Sequence, residues 1–344
     1  NWSWSFTDLD KYNSGTEIVY TISEDADDNY TTVVDGYNIT NTHTPEKTII
    51  SGSKTWDDTD NQDGKRPESI TVRLFADGTE VTSKTVTAND NWSWSFTDLD
   101  KYNSGTEIVY TISEDAVTDY ITVVNGYNVT NTHTPEKISI TGSKTWNDNN
   151  NQDGIRPDSI TVELLKTVDG TTTSMGDNYK QVLKGKKLDY SWSELPVYEA
   201  GERITYTVKE VGEENGKIAG KNGKEYTVEY DEMNIKNSYV PEKTEVSGTK
   251  TWVDYDNKYN RRPESITINL LANGKKVENK EVKASDNWAW EFKDLPVYEA
   301  GKKITYTISE EKVSGYASNV TGYNVTNTYT EAPKGTITMN WDTQ

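Results

Sequence analysis

The chain of 344 residues has no cysteine and only two histidines, His43 and His133. The absence of cysteine excludes disulfides and thiolate metal sites. The two histidines occupy equivalent positions in a repeat and offer neither a metal site nor a nucleophile–base pair. If a secreted protein of this composition is stabilised by covalent crosslinks, these must be bonds other than disulfides.

Basic residues and long apolar runs are also scarce. The 36 lysines and arginines face 56 acidic residues, and the net charge of −20 argues against nucleic acid or an anionic membrane as a partner. No run of about 18 apolar residues could span a membrane, and no signal peptide or C-terminal anchor pattern is present. Because the chain begins within a repeat, we expect it to be a fragment.

The chain does contain internal repeats. Residues 1–26 recur unchanged at 91–116, and the same offset continues to Pro-Glu-Lys at 45–47 and 135–137, so the repeat unit is about ninety residues. This length suits one small sandwich domain, and the short proline-bearing joints predict a semi-rigid rod. The predicted division is a truncated C-terminal half-repeat at 1–46, complete repeats at 47–136, 137–242 (with loop insertions near 166–187 and 211–224) and 243–332, and a linker or further module at 333–344.

Within a repeat, nearly every segment has the pattern of a β-strand. The 22 tyrosines, 11 tryptophans and many threonines and valines alternate with polar residues, and helical periodicity is missing. Asp77-Gly78 and Asn273-Gly274 lie between such segments and predict hairpin turns. The predicted fold class is all-β.

Three polar residues interrupt this alternation on the side expected to be buried. Lys144, for example, alternates in phase with Ile138, Ile140 and Trp146, so its side chain should point the same way. A glutamate and an asparagine do the same on two other strands. The triplet occurs in every complete repeat: Lys54, Glu114 and Asn131; Lys144, Glu210 and Asn237; Lys250, Glu310 and Asn327.

An amine, an acid and an amide among apolar neighbours are costly unless they meet. Burial favours the neutral amine and the neutral acid, and a neutral amine is a nucleophile. The pattern predicts attack on the asparagine carboxamide, with the glutamate shuttling protons and ammonia leaving, to form a Lys–Asn isopeptide bond. The alternative is that the lysine and the glutamate form a buried salt bridge, with the asparagine hydrogen-bonded beside it and no crosslink.

Three motifs carry a resemblance to a known family. Gly-Ser-Lys-Thr-Trp (52–56), Tyr-Thr-Ile-Ser-Glu (110–114) and Tyr-Asn-Val-Thr-Asn-Thr (127–132) resemble the marker motifs of Cna B-type domains of Gram-positive adhesins and pilins. The resemblance implies tandem inverse-immunoglobulin β-sandwiches of seven strands. It also implies self-formed bonds between first and last strands, with Glu114, Glu210 and Glu310 as the assisting acids; the implied crosslinks are Lys54–Asn131, Lys144–Asn237 and Lys250–Asn327.

The function that this resemblance implies is structural. We expect a stalk on the bacterial cell surface, anchored to the cell wall and binding host matrix or glycan through regions outside this sequence. No enzyme activity beyond a single autocatalytic turnover, no cofactor and no metal are expected, and the rod should be monomeric. The alternative is that the modules themselves bind host matrix protein or glycan.

Four further features carry weaker hypotheses. The acidic loops 57–64 and 147–154 could suit calcium, but the corresponding loop at 254–261 has a lysine and no Asp-Gly, so solvated loops are favoured. The aromatic residues Trp92, Trp94 and Phe96 share a face, which favours packing over a sugar-binding platform. In the half-repeat, Glu24 and Asn41 occupy crosslinking positions without a lysine donor, so 1–46 should be uncrosslinked and poorly folded. At the other end, Met339 stands two residues before a tryptophan, where the complete repeats have lysine.

Overall fold

The computed structural model describes residues 2–330, 335 and 337–339, and these residues fold as β-structure. The chain divides into two compact units, one formed by 1–136 with 198–202 and the other by 137–197 with 203–344. Across the described part there is no α-helix, and therefore none that could cross a bilayer. Single 3₁₀ turns occur at Ala88–Asp90, Asp177–Tyr179, Lys221–Gly223 and Ala284–Asp286.

The first complete repeat has the predicted seven strands in two sheets, with a short separate hairpin. Its four-stranded sheet has the order Ile121–Asn125, Asn128–Thr132, Lys47–Asp57, Ser93–Asp100. Its three-stranded sheet has the order Tyr110–Glu114, Ser69–Ala76, Thr79–Thr87. The separate hairpin is Tyr102–Asn103 with Thr106–Glu107.

The third repeat reproduces this arrangement strand for strand. One sheet has the order Ala289–Pro296, Lys243–Val253, Asn324–Tyr329, Tyr316–Thr321. The other has the order Lys275–Lys283, Ser265–Ala272, Tyr306–Glu310, and the separate hairpin is Tyr298–Glu299 with Lys302–Lys303.

The second repeat has nine sheet strands, because its insertions form strands where loops were predicted. One insertion divides the strand that pairs with Ser159–Val168 into two strands, Thr171–Ser174 and Lys180–Lys184. The other insertion adds the edge strand Lys217–Ala219. Pairing with existing strands satisfies the backbone hydrogen bonds of these insertions. The remaining strands are Lys137–Asn147, Ser159–Val168, Asp189–Pro196, Thr205–Glu210, Glu225–Asp231 and Asn234–Ser238, with a hairpin of Tyr198–Glu199 and Glu202–Arg203.

The core of each repeat lies between its two sheets. In the first repeat, Ile50 and Trp94 from one sheet pack with Val72 and Leu74 from the other. Trp94 and Phe96 are 3% and 7% exposed, so packing rather than sugar binding explains these aromatics. Each residue comes from the buried side of an alternating strand, which confirms the predicted all-β sandwich.

The antiparallel pairing of the first strand of each repeat contains a local irregularity. In the second repeat the pairing register shifts between Ile138 and Ile140. Ile140 is 9% exposed and belongs to the core, whereas Ile138 is 38% exposed. The two isoleucines are two residues apart whereas their partners Leu195 and Trp192 are three apart, so the extra residue lies in the partner strand and Ile138 keeps the parity of Ile140. Ile138, the second residue of its strand, lies outside the core cluster.

The half-repeat at 1–46 contains only short hairpins, with large apolar side chains such as Trp2 and Phe6 left exposed. Asn41 donates to the Glu24 carboxylate at 2.9 Å, so these two residues meet even without the rest of a module. At the other end, Met339 is exposed, and the tryptophan at 341 with which it was compared lies outside the described residues.

Candidate functional site

Each complete repeat buries a lysine amine against a glutamate carboxylate between its two sheets. In all three pairs the lysine side chain has no exposed surface and the glutamate side chain has at most 1%. The amine-to-carboxylate distances are 3.3 Å for Lys54–Glu114, 3.4 Å for Lys144–Glu210 and 3.0 Å for Lys250–Glu310.

The strand order explains why the asparagine joins this pair. The first and last strands of a repeat are parallel neighbours, and in the first repeat Lys54 aligns with Val129 and Trp56 with Asn131. Asn131 is therefore two residues along the neighbouring strand from Lys54 and on the same face. The glutamate reaches the same point from the opposite sheet, so three strands that are distant in sequence converge on one buried point.

A glycine in the first strand allows this close approach. A Cβ atom on Gly52 would lie 1.6 Å from the carbonyl oxygen of Tyr127 and 2.9 Å from the Trp94 ring. Gly142 and Gly248 meet equivalent obstacles within 2.0 Å. The glycine two residues before each lysine therefore lets the backbone next to the last strand and an aromatic ring pack against the first strand; the rings are those of Trp94, Tyr190 and Trp290.

The asparagine contacts differ between repeats. Asn237 and Asn327 each donate their amide N–H to the glutamate of their own repeat, at 3.3 and 3.2 Å. In the first repeat, Thr122 donates to the Glu114 carboxylate at 3.0 Å, and Asn131 makes no side-chain hydrogen bond. The glutamate thus lies between amine and amide in the second and third repeats.

Several polar atoms of the triplets are buried without a hydrogen-bond partner, which is rare in proteins and unfavourable. They comprise lysine nitrogens, asparagine oxygens and one glutamate oxygen in each repeat. These atoms are Lys54 Nζ, Lys250 Nζ, Asn131 Oδ1 and Nδ2, Asn237 Oδ1, Asn327 Oδ1, Glu114 Oε1, Glu210 Oε2 and Glu310 Oε2. The lysine nitrogens, which meet only their glutamates, and the asparagine groups are those that a Lys–Asn amide bond would join.

Burial shifts the three lysines toward the neutral amine, and in the second repeat it also shifts the glutamate toward the neutral acid. It lowers the pKa of Lys54 and of Lys144 to about 8, against the opposing attraction of their glutamates, and it also lowers the pKa of Lys250. Burial raises the pKa of Glu210, although Lys144 beside it acts in the other direction. Because the lowered lysine pKa favours the uncharged amine, the nucleophilic form is accessible in each repeat.

A tryptophan covers each amine. Lys54 Nζ lies 4.3 Å from the centroid of the Trp56 ring, and the corresponding distances in the second and third repeats are 4.3 and 4.6 Å. Trp56 also makes edge contacts with Trp92 and Tyr120. The ring attracts the charged amine and keeps water from it.

The acidic loops contain an ion pair that sequence reasoning missed. Asp58 is buried and accepts two hydrogen bonds from the Arg66 guanidinium, at 3.0 and 2.6 Å, and one from the Tyr120 hydroxyl at 2.8 Å. Burial would raise the pKa of Asp58, but these bonds and the Asn61 N–H outweigh it and lower the pKa to about 2. Asp148 with Arg156 and Asp254 with Arg262 repeat the pair.

This ion pair changes the interpretation of the loops. The oxygens considered for calcium are occupied by a guanidinium at Asp58, and the described residues contain no cluster of three or more acidic or histidine side chains able to hold a metal. The signal was present in the sequence as an aspartate four residues and an arginine twelve residues after each lysine. In the first repeat, the ion pair of Asp58 and Arg66 joins the two ends of the acidic loop, and Arg66 lies beside Trp56, whose ring covers the Lys54 amine.

One titrating group near this site predicts a pH effect. His133 faces Asp63 Oδ2 at 3.1 Å and the carbonyl oxygen of Asp119 at 2.9 Å, and the hydrogen bond to Asp63 raises the pKa of His133. Stability from protonated His133 is complete below its unfolded pKa of about 6.5 and is lost as pH rises through the higher folded value. We therefore expect urea titrations to show the first repeat losing stability between about pH 6 and 8.

The matched variant for this effect is His133→Tyr, because the second repeat has Tyr239 there, whose hydroxyl donates to Asp153 at 3.1 Å. In the His133→Tyr chain, the first repeat should keep its stability between about pH 6 and 8. The His43→Tyr chain, which is altered only in the half-repeat, should lose stability over this range as the parent chain does. An identical pH profile for His133→Tyr and the parent chain would contradict the assignment.

The chain is similar in sequence to known proteins of one family. The Cna protein B-type domain matches residues 1–42, 50–132, 140–238 and 246–328. A collagen adhesin of Staphylococcus aureus is 42% identical over 354 residues, a match that takes in 99% of this chain and 29% of that protein. The chain thus spans less than a third of the length of this relative.

Solved structures with similar sequences include two that carry the same repeat. Two B repeat units of the collagen binding protein of Staphylococcus aureus are 42% identical, with 83% of this chain and 74% of that chain covered and a TM-score of 0.49. A single B repeat unit of the same protein is 40% identical, with coverage of 57% and 100% and a TM-score of 0.26. With four matched segments that span most of its length, the chain belongs to the Cna B-type domain family.

Proposed function

We propose that the chain is a stalk segment of a bacterial cell-surface adhesin, and that each complete repeat crosslinks itself through a Lys–Asn isopeptide bond. The observation that carries the proposal is the buried triplet, which recurs three times with the lysine amine 3.0–3.4 Å from the glutamate carboxylate and with an asparagine carbonyl oxygen that has no hydrogen-bond partner. An uncrosslinked ion pair would leave these groups buried at a free-energy cost in every repeat.

The proposed reaction needs no further reactant. The neutral lysine Nζ attacks the asparagine Cγ, a C–N bond forms, and the bond from Cγ to the amide nitrogen breaks. The glutamate passes a proton from the amine to the departing nitrogen, which leaves as ammonia, and the glutamate returns to its starting state. Holding the groups in contact contributes about 7–11 kcal/mol toward the barrier. The step occurs once per module, so the protein is not an enzyme in the usual sense.

The stalk role rests on the position of the bond and on the relatives. The bond would join the first and last strands of each module, the strands through which tension enters and leaves. The similarity to a collagen adhesin supports an extracellular location on the cell surface. We assign cell-wall anchoring and the binding of host matrix to parts of the parent protein outside this sequence. We place the boundaries between modules at the joints 43–47, 133–137 and 239–243.

The intact mass of the denatured full chain tests the proposal. Three bonds predict a mass below that of the sequence by three molecules of ammonia. Lys54→Ala and Glu114→Ala should each restore one ammonia, because one removes the nucleophile and the other the proton carrier. Lys137→Ala, which removes an exposed lysine of the same chain, should keep all three bonds. A mass equal to that of the unmodified sequence would refute the crosslink.

A further inference from the structure

Two glycines in the second compact unit touch through their backbones. Gly154 lies in a loop of the second repeat and Gly301 at the tip of a hairpin of the third. A Cβ atom on Gly154 would lie 2.4 Å from the Gly301 Cα, and one on Gly301 would lie 3.0 Å from the Gly154 Cα. The Gly301 N–H donates to the Gln152 carbonyl at 2.9 Å. Only a residue without a side chain fits on the Gly154 side.

The neighbouring aspartate ties this loop to the joint between the repeats. Asp153 is 5% exposed, and its Oδ2 accepts from the Tyr239 hydroxyl at 3.1 Å and from the Glu242 N–H at 2.9 Å. The Glu242 carbonyl in turn accepts from the Val297 N–H at 3.1 Å, and the Glu242 carboxylate pairs with Lys224. Glu242 is thus held by both repeats at once.

The first compact unit contains the same arrangement. A Cβ atom on Gly64 would lie 2.6 Å from the Gly201 Cα, and the Gly201 N–H donates to the Gln62 carbonyl at 3.0 Å. Asp63 accepts from the Glu136 N–H at 2.8 Å, as Asp153 does from Glu242. The arrangement therefore belongs to the repeat and is not an accident of one contact.

The third repeat has lost these residues. Tyr259 and Asn260 stand nine and ten residues after Lys250, where the other repeats have Asp-Gly. The Tyr259 ring stacks on Tyr329 at 5.6 Å between centroids, so an aromatic pair stands where the other repeats have the aspartate that accepts hydrogen bonds at the joint.

We propose that the Asp-Gly loop of a module is a docking site for the glycine-tipped hairpin of the module that follows it. Within the second compact unit, backbone contact at the glycines and the aspartate-held joint together restrict the angle between the second and third repeats. The occupant is a hairpin of the type Tyr-Glu-Ala-Gly, present at 198–201 and 298–301. The loop of the third repeat cannot dock such a hairpin in this way. This proposal does not depend on the isopeptide bonds.

Spin labels can test the docking in the full chain. Because the chain has no cysteine, Lys186→Cys in the second repeat and Glu278→Cys in the third provide two unique and exposed labelling sites. Double electron–electron resonance should give one narrow distance distribution. Gly154→Ala and Gly301→Ala should each widen it by about twofold, because modules without a tight interface move relative to each other.

Gly170→Ala is the matched control, because Gly170 has a φ of +73°, close to the +69° of Gly154, and no atom lies within 4 Å of its added Cβ. It should leave the distribution narrow. A broad distribution in the parent chain, no change in the Gly154→Ala chain, or equal widening by Gly170→Ala would each overturn the proposal.

Discussion

Asn327→Ala is expected to lower the unfolding temperature of the third repeat by about 15–40 °C. The proposed bond closes a loop of 77 residues between Lys250 and Asn327. On the chain-entropy account of crosslinks, such a loop stabilises the folded state by about 4–5 kcal/mol. Asn327 is the residue to replace because its loss leaves the buried pair of Lys250 and Glu310 intact. Calorimetry of the full chain measures the shift.

A second buried asparagine of the same repeat provides the control. Asn269 is 9% exposed and lies on a strand whose neighbouring residues Ile268 and Leu270 face the core, so its own side chain points to the other side of the sheet. Asn269→Ala also removes a buried amide but no proposed bond, and it should shift the transition far less. Equal shifts for the two variants would show that Asn327 stabilises by packing alone.

Under tension, the same variant is expected to change the mechanical response from rigid to extensible. The first and last strands of the third repeat are parallel neighbours that pair from Lys250–Val325 to Val253–Thr328. With the bond in place, force applied at the two ends crosses the repeat through the link, and the residues between Lys250 and Asn327 stay shielded. Without it, unfolding should release those 77 residues, about 250–280 Å of extended chain.

Single-molecule pulling on the full chain measures this difference. The parent chain should show no unfolding step of that length for any complete repeat, and Asn327→Ala should add one such step per molecule. Asn269→Ala should behave as the parent chain does. Unfolding steps of about 250–280 Å in the parent chain would show that the bond does not carry the applied force, even if the mass of the chain showed the loss of ammonia.

The mass measurement tests the bond itself, and the calorimetry and pulling measurements test its consequence for the fold. The mass reports whether amine and amide have condensed, whereas calorimetry and pulling report what condensation does for the fold. A chain that is crosslinked but no more stable than its variants would retain the chemistry and lose the stalk function. The angle between modules is tested independently by the glycine substitutions.

Alternation along single strands was enough to predict the fold class and the residues of the triplet. Lys54, Glu114 and Asn131 could be placed on buried faces because side-chain direction in a strand depends only on local parity. The same logic did not predict the depth of burial, since Ile138 shares the parity of Ile140 but is 38% exposed near the beginning of its strand. It also predicted loops for the insertions of the second repeat, because whether Thr171–Ser174 pairs depends on a neighbouring strand that local sequence does not specify.

By itself the sequence determined that the protein is all-β, that it repeats, and that amines, acids and amides point inward in each copy. Tertiary structure alone decided which of these groups touch, because the lysine and asparagine strands are 77 or more residues apart and the acid comes from the opposite sheet. It also decided the use of the acidic loops, where Asp58 pairs with Arg66, and of the Asp-Gly loop that receives the next hairpin. Parity is a local property of the chain, whereas contact distance and burial arise only when distant strands pack together.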